Sequence, residues 1–210
     1  MTPAPSMKHP LRPILAAAGL LALAACNVVP PAQDDPTRYF VLADAGVSAS
    51  HSEGTLRVGL KSVQLEGYLK RKDIVIRTGA NEVEFRDFRL WAEPLDSGVS
   101  RVLRQALRAS PPVGQVYAEP FPVDGARDYD VSVEILHCEG AASGSGQVAR
   151  LSAVYEISTV GPQAHVVARR RFDAPDQAWD GRDYGSLAGL LSADIASLGA
   201  DIARNLPPLP

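Results

Sequence analysis

Apolar residues recur along the chain with two different spacings, and each spacing predicts a different element. Intervals of three or four residues place side chains on one face of a helix, whereas alternation suits a half-buried strand. Alternating or β-branched segments predict strands at 39–42, 56–61, 73–77, 82–88, 129–135, 151–157 and 165–172. Helical spacing predicts one helix that opens at Pro94 and a second over 184–205.

Both predicted helices carry one apolar face. Pro94 suits a first turn, because the N–H that proline lacks would have had no partner there, and Pro111-Pro112 stops the helix. The apolar positions of the first helix are Leu95, Val99, Val102, Leu103, Ala106 and Leu107. Those of the second are Leu187, Leu191, Ile195, Leu198, Ile202 and Leu206. For the second, packing on the chain's own sheet is favoured over a face that binds a partner.

Turn residues join these elements into one predicted domain. The phase of alternation changes between Leu60 and Val63, which indicates a bulge or bend. The segment 140–146 (GAASGSG) is expected to be a flexible loop in an antiparallel meander that ends at Phe172. The fold class is therefore predicted as α+β: a mostly antiparallel sheet with two main helices packed against it, an α/β sandwich.

The N-terminus has the three parts of a secretory signal. Lys8, His9 and Arg12 form a basic region, and 12 apolar residues follow over 14–25. A helix that crosses a bilayer needs about 20 residues, so this run is interpreted as the apolar part of a signal peptide.

Cys26 directly follows that run. The residues Leu23-Ala24-Ala25-Cys26 resemble the lipobox of bacterial lipoproteins. The resemblance implies a diacylglyceryl thioether on Cys26, cleavage before it and N-acylation of the new terminus; the alternative is an ordinary signal with an incidental cysteine. The predicted organisation is a signal peptide over 1–25, a lipidated N-terminus and tether over 26–36, and one globular domain over 37–206.

The tether contains three prolines and two adjacent acids, which suit neither helix nor strand. Ten residues of Pro-rich extended chain reach roughly 30 Å. Asn27 follows the cysteine, where an Asp favours retention in the inner membrane of enteric bacteria. By that analogy the sequence favours the outer membrane, with the domain facing the periplasm.

Charge and cysteine content limit the class of protein. Removing residues 1–25 removes two bases and no acid, which leaves 19 Lys+Arg against 24 Asp+Glu, a net charge of -5. This acidic balance gives no indication of a basic surface that binds nucleic acid. With Cys26 lipidated, Cys138 has no partner for a disulfide and is expected to be a small, semi-buried residue.

No catalytic or metal-binding pattern stands out. The sequence has no Gly-rich phosphate loop, no HExxH and no GxSxG. Adjacent strand residues point to opposite faces, so His137 and Cys138 make a poor metal site. For the aspartates over 173–183, turn formation and charge at a helix N-terminus are favoured over calcium binding. For Arg169 to Arg171, a solvated outer face is favoured over a contact with lipid headgroups or an acidic partner.

Three segments of the domain resemble the PqiC/YmbA family of ABC-transport auxiliary lipoproteins. They are Tyr39-Phe40-Val41-Leu42, the segment 63–77 (VQLEGYLKRKDIVIR) and the fairly specific Trp91-Ala92-Glu93-Pro94-Leu95 before the first helix. Within 63–77, the sequence departs from the family where Glu66, Lys70 and Lys72 replace proline, aspartate and proline.

The resemblance implies an accessory subunit of an MCE-type intermembrane lipid transport system. Its partners would be a periplasmic MCE-domain protein and an inner-membrane ABC transporter or permease, and the chain could also assemble with copies of itself. It would act as a docking element with no cofactor other than its own lipid. Partner contact is expected around Tyr68, Arg71, Arg77, Trp91 and Glu93; the alternative is that Trp91 belongs to the core and Glu93 favours the helix N-terminus.

Two other functions fit a tethered α+β domain. One is a structural or assembly lipoprotein that supports envelope integrity, which the neighbouring genes would distinguish from a transport subunit. The other is an anchored hydrolase, which would require a cluster of acids, or a serine with a histidine, in one pocket.

Overall fold

The computed structural model describes residues 33–43, 54–123, 125–144 and 146–208. Signal peptide, Cys26 and most of the tether lie outside the described residues. Thr37–Pro210 is one compact unit. Within the described residues it contains β1 (Arg38–Phe40), β2 (Leu56–Leu60), β3 (Gln64–Leu65), β4 (Asp73–Gly79), β5 (Glu82–Trp91), α1 (Leu95–Arg108), β6 (Val113–Ala118), β7 (Tyr129–Ser143), β8 (Gly146–Thr159), β9 (Val166–Asp173), β10 (Gln177–Trp179) and α2 (Tyr184–Arg204). A short 3-10 helix, Gly67–Lys70, precedes β4.

Both helices form where the sequence predicts them. Pro94 is the N-cap residue of α1, and the apolar face of that helix is buried. Asp183 caps α2, since its Oδ1 accepts hydrogen bonds from the backbone N–H groups of Gly185 and Ser186 at 2.9 and 3.2 Å. All six stripe residues of α2 are buried. The helix is long and apolar enough to cross a membrane, but this stripe belongs to the domain's hydrophobic core.

The two helices cross closely at Gly199. A Cβ at this position would lie 2.6 Å from the Cβ of Ala106 in α1, closer than two carbon atoms can approach. Glycine therefore sets the distance between the helices.

The sheet is organised around β7. One edge of β7 pairs in parallel with β2, β3 and β4 at successive positions, and the other edge pairs antiparallel with β8. Strand β8 also pairs with β9 and β10, β2 with β6, β4 with β5, and β5 with β1. The predicted α+β class is confirmed. The sheet is mixed: its longest ladders are antiparallel, but five of the pairings in the described residues are parallel.

The prediction of a flexible loop over 140–146 is wrong. Strand β7 continues to Ser143 and β8 begins at Gly146. Gly140 is paired on both sides of β7, and a Cβ there would lie 2.6 Å from Ile76 Cδ1 and 2.8 Å from the Trp179 ring. The glycine makes room for packing in the sheet. Strands β3, β6 and β10 were not predicted from the sequence.

Alternation along β7 and β8 divides the sheet into a covered face and an open face. Tyr155 is fully buried, and its hydroxyl donates to Asp201 Oδ2 of α2 at 2.7 Å, so its side of the sheet is the one that the helices cover. On the other side, Glu134 is exposed and Val154 and Glu156 are half-buried. We call this second side the open face.

One carboxyl group is buried where α2 meets the sheet. Asp194 is 4% exposed, its Oδ1 accepts a hydrogen bond from Gln177 Nε2 at 2.6 Å, and its Oδ2 makes no hydrogen bond within the described residues. Burial raises the pKa of Asp194 to about 6, and the bond from Gln177 offsets only part of that effect.

Candidate partner-binding surface

Two of the residues predicted to contact a partner meet on the open face. Arg77 projects from β4 and Tyr68 from the 3-10 helix, and the guanidinium carbon of Arg77 lies 5.3 Å from the centre of the Tyr68 ring. This separation is within the range of a cation–π interaction. The sequence placed these residues nine positions apart, and the structure brings them into contact.

Arg77 forms an ion pair with a buried carboxylate of β7. Its Nε lies 2.6 Å from Glu139 Oε1; the Glu139 side chain is 0% exposed and that of Arg77 is 17% exposed. Strand alternation from the core residue Cys138 places Glu139 on the open face. The other carboxylate oxygen, Oε2, is buried and makes no hydrogen bond within the described residues.

His137 joins this ion pair to the tyrosine. Its Nδ1 lies 3.1 Å from Glu139 Oε1 and 3.1 Å from the Tyr68 hydroxyl, which donates to the backbone oxygen of Leu136 at 2.9 Å. A carboxylate can only accept, so we assign the proton to Nδ1. We call Tyr68, Arg77, His137 and Glu139 the polar cluster.

Burial and charge fix the protonation of two of its members. Burial, together with the neighbouring charge of Glu139, raises the pKa of Tyr68 above its ordinary value, so the hydroxyl remains a donor. Burial acts to lower the pKa of Arg77, but hydrogen bonds to Glu139 and Tyr68 outweigh it and raise the pKa. The cluster therefore presents a fixed cation at the rim of a buried anion.

Arg71, just before β4, lies over an aromatic ring of the hairpin that β4 and β5 form. Its guanidinium carbon is 4.3 Å from the centre of the Phe85 ring, and its Nε donates to Asp73 Oδ2 at 3.0 Å. Phe85 is the cross-strand partner of Val75, which shares a strand face with Arg77. The Arg71–Phe85 pair and the polar cluster thus form one aromatic and cationic area, which we call the hairpin surface.

Trp91 and Glu93 do not belong to the hairpin surface. Trp91 is 5% exposed in the core, so its indole has little area to offer a partner. Glu93 Oε1 accepts from Arg101 Nη2 of α1 at 2.7 Å, and the same nitrogen donates to the backbone oxygen of Leu42 at 2.6 Å. Glu93 is thus held against α1 by Arg101, and Trp91 packs in the core, so Trp91 is removed from the predicted contact.

Sequence reasoning missed His137, Glu139 and Phe85. The partner of Glu139 lies 62 positions earlier in the chain, and alternation alone gives no reason to bury an acid on an open face. Phe85 lies in a predicted strand. An aromatic residue among charged neighbours was a sequence signal for a surface contact.

The other candidate residues have local roles. Asp180 Oδ1 accepts from the backbone N–H groups of Arg182 and Asp183, as expected of a turn. Arg169 of β9 pairs with Glu156 of β8, and Arg171 pairs with Asp173 within β9. Cys138 is a free thiol in the core, 2% exposed. Among the described residues, no three His, Cys, Asp or Glu side chains are grouped to hold a metal ion.

Residues 40–203 match the family model described as ABC-type transport auxiliary lipoprotein component. The match spans well over half of the sequence, and the chain belongs to this family. The resemblance noted from the sequence is thereby confirmed. The family consists of auxiliary lipoproteins of ABC-type transporters; it is not a class of enzymes, and the transporter is the partner that the name implies.

Solved structures share the fold at low sequence identity. A crystal structure of an uncharacterised protein has 19% identity and a TM-score of 0.63, and the alignment covers 80% of this chain and 97% of that one. A crystal structure of a Xanthomonas campestris protein has 15% identity and a TM-score of 0.60, covering 79% and 88%. No curated protein matches the sequence significantly.

Proposed function

We propose that this protein is the outer-membrane docking subunit of an MCE-type ABC system for intermembrane lipid transport. In this role, acylated Cys26 holds the protein in the inner leaflet of the outer membrane, the tether connects this anchor to the domain, and the domain binds a periplasmic MCE-domain protein that leads to the inner-membrane transporter. The subunit performs no chemistry. The lipid on Cys26 is its only prosthetic group.

The observation that carries this proposal is the hairpin surface. Arg71 is 58% exposed and is held over Phe85, and Arg77 is held by Glu139 and Tyr68. Arginine and aromatic side chains in fixed positions suit a protein contact, because little side-chain entropy remains to be lost on binding.

Tethering makes such a contact sufficient. A surface attached by about ten residues searches a small volume, so its effective concentration near a partner in the same envelope is high. Modest affinity then supports stable docking. The family membership supplies the transporter, and the absence of Asp after Cys26 supports the outer membrane.

The test is a crosslinking pull-down of the acylated protein from envelopes, with Arg71→Glu and Arg169→Glu variants. Both arginines are exposed, at 58% and 72%, and both pair with a carboxylate, but Arg71 precedes β4 whereas Arg169 lies on β9. We expect an MCE-domain protein with the wild type and with Arg169→Glu, and a strong reduction with Arg71→Glu.

Cys26→Ser provides a separate test of the anchor, since it should release the protein from the membrane and reduce recovery of the partner. If only outer-membrane assembly proteins are recovered, the transport role is refuted and the structural alternative replaces it. Equal recovery with Arg71→Glu and Arg169→Glu would refute the hairpin surface as the contact.

A further inference from the structure

One edge of the sheet carries several exposed apolar side chains. The described residues include eight large apolar side chains that are exposed, and four of them lie on or beside β1 and β5. Tyr39 is 65% exposed, and Val41 and Phe88 are each 51% exposed. Arg89 pairs with Arg38, so Phe88 lies beside the start of β1. We call Tyr39, Val41 and Phe88 the β1 edge.

The backbone at Phe88 is strained. Asp73 and Ile74 of β4 are neighbours, but they face Leu90 and Arg86 of β5, so three residues of β5 bulge out of the pairing. Phe88 sits in this bulge with a φ of 59°, a conformation that bulky residues rarely adopt. This phenylalanine is both strained and exposed, so its side chain does not serve packing in the core. Such a residue indicates a functional role for the side chain.

Arginines lie beside these apolar residues. A cleft of about 320 Å³ is walled by Arg38, Arg89, Arg182 and Tyr184 together with Phe40, Asp180 and Asp183. The two aspartates already accept backbone N–H groups. The guanidinium of Arg89 also lies 5.8 Å from the centre of the Tyr184 ring. Arginine and tyrosine side by side are typical of surfaces that lie at the headgroup level of a bilayer.

The length of the tether indicates what the β1 edge contacts. Arg38 is 12 residues beyond Cys26, so even a fully extended chain holds β1 within about 40 Å of the acyl groups. Among the strands of the described residues, β1 is joined to Cys26 by the shortest path. We propose that the β1 edge rests on the anionic lipid surface that holds the anchor, with Tyr39, Val41 and Phe88 inserted at the headgroup level.

This inference uses the lipid anchor of the proposed function but not the MCE partner. In it, Arg38 and Arg182 bind headgroup phosphates, and the domain has a fixed orientation that leaves the hairpin surface to a protein. Anchor and edge then act as two membrane contacts: the acyl chains on Cys26 attach the protein, and the β1 edge sets the orientation of the domain.

The test measures insertion in the acylated full chain, reconstituted in phosphatidylethanolamine–phosphatidylglycerol vesicles. An environment-sensitive fluorophore is attached at Val41→Cys or Val166→Cys. Both valines are 51% exposed, and Val166 is on β9, which pairs with β8 rather than with β5. The free thiol of Cys138 is buried and stays unlabelled. We expect lipid-attached quenchers to reduce the signal several-fold more at position 41 than at position 166.

Equal quenching at the two positions would overturn the proposal. A chain that leaves the vesicles altogether would instead contradict the anchor at Cys26, which is a different result. In unacylated Cys26→Ser protein, Tyr39→Ser and Phe88→Gly should each lower vesicle binding about fivefold, because each side chain buries roughly half of its apolar area. Glycine adopts a positive φ freely, so Phe88→Gly retains the fold.

A separate binding experiment tests the arginines. Arg38→Ser with Arg182→Ser should weaken binding to phosphatidylglycerol vesicles and leave binding to phosphatidylcholine vesicles nearly unchanged. Equal loss of binding to both compositions would refute selection of anionic headgroups by these arginines, and unchanged binding to both would refute their contact with the lipid.

Discussion

Replacing Arg77 by methionine should destabilise the domain more than neutralising its partner Glu139. The two side chains are joined by a 2.6 Å contact but differ in burial, at 17% and 0% exposure. Without Arg77, the Glu139 carboxylate stays buried and loses its ion pair with the guanidinium. With Glu139→Gln, the amide oxygen can still accept from Arg77, and the guanidinium keeps some contact with water.

The expected magnitudes follow from this asymmetry. Breaking a buried ion pair by removing one partner costs about 3–5 kcal/mol when the remaining charge cannot be hydrated. We therefore expect Arg77→Met to lower the free energy of unfolding by about 3–5 kcal/mol. For Glu139→Gln we expect about 1–2 kcal/mol, since a hydrogen bond is weakened rather than lost. The first loss is a large part of the 5–15 kcal/mol typical of a domain.

Urea unfolding of the unacylated Cys26→Ser chain measures both values, with fluorescence of the two buried tryptophans as the signal. At about 2 kcal/mol per molar urea, Arg77→Met should lower the midpoint by roughly 1.5–2.5 M. Arg171→Met is the control: Arg171 and Asp173 are both 57% exposed, so water screens the charges of this pair. If Arg77→Met costs no more than Arg171→Met, the reasoning is refuted. Arg77→Met with Glu139→Leu should recover part of the loss.

Two further predictions concern α2. Because the pKa of Asp194 is raised to about 6 in the folded protein, its contribution to stability is complete below about pH 4 and is lost as pH rises towards 6. Asp194→Asn should reduce this decline of the free energy of unfolding with pH, as measured by denaturation at several pH values. An unchanged dependence on pH would contradict the prediction. Gly199→Ala should lower stability by about 1–2 kcal/mol, since the new Cβ meets Ala106. Gly189→Ala in the same helix, where a Cβ meets nothing within 4 Å, should raise it by about 0.5–1 kcal/mol. Thermal unfolding distinguishes the opposite signs.

The candidate site was only partly accessible from the sequence. Tyr68, Arg71 and Arg77 were named because a short segment resembled a family, and they lie on one surface. The same segment could not indicate that Glu139 fixes Arg77, because the two are 62 positions apart and meet only when β4 pairs with β7. Trp91 was named with them although strand pairing directs it to the core.

Spacing along the chain by itself determined the helices and most strands. The stripes of α1 and α2 and the alternation in β7 and β8 are local patterns, and a helix or strand must bury its apolar side to be stable. The N-terminal residues likewise predict the signal and the lipid anchor without reference to the fold.

Only the tertiary structure decided how these elements combine. Five parallel pairings, the strand through Gly140, the strained Phe88 and the ion pair beneath Tyr68 all depend on residues distant in sequence. A position in a strand has two possible edges and two possible faces, and its neighbours there are chosen by packing across the whole domain. The sequence therefore defined a lipoprotein with an α+β domain, and the packed sheet brought together the residues that we propose to face a partner and a membrane.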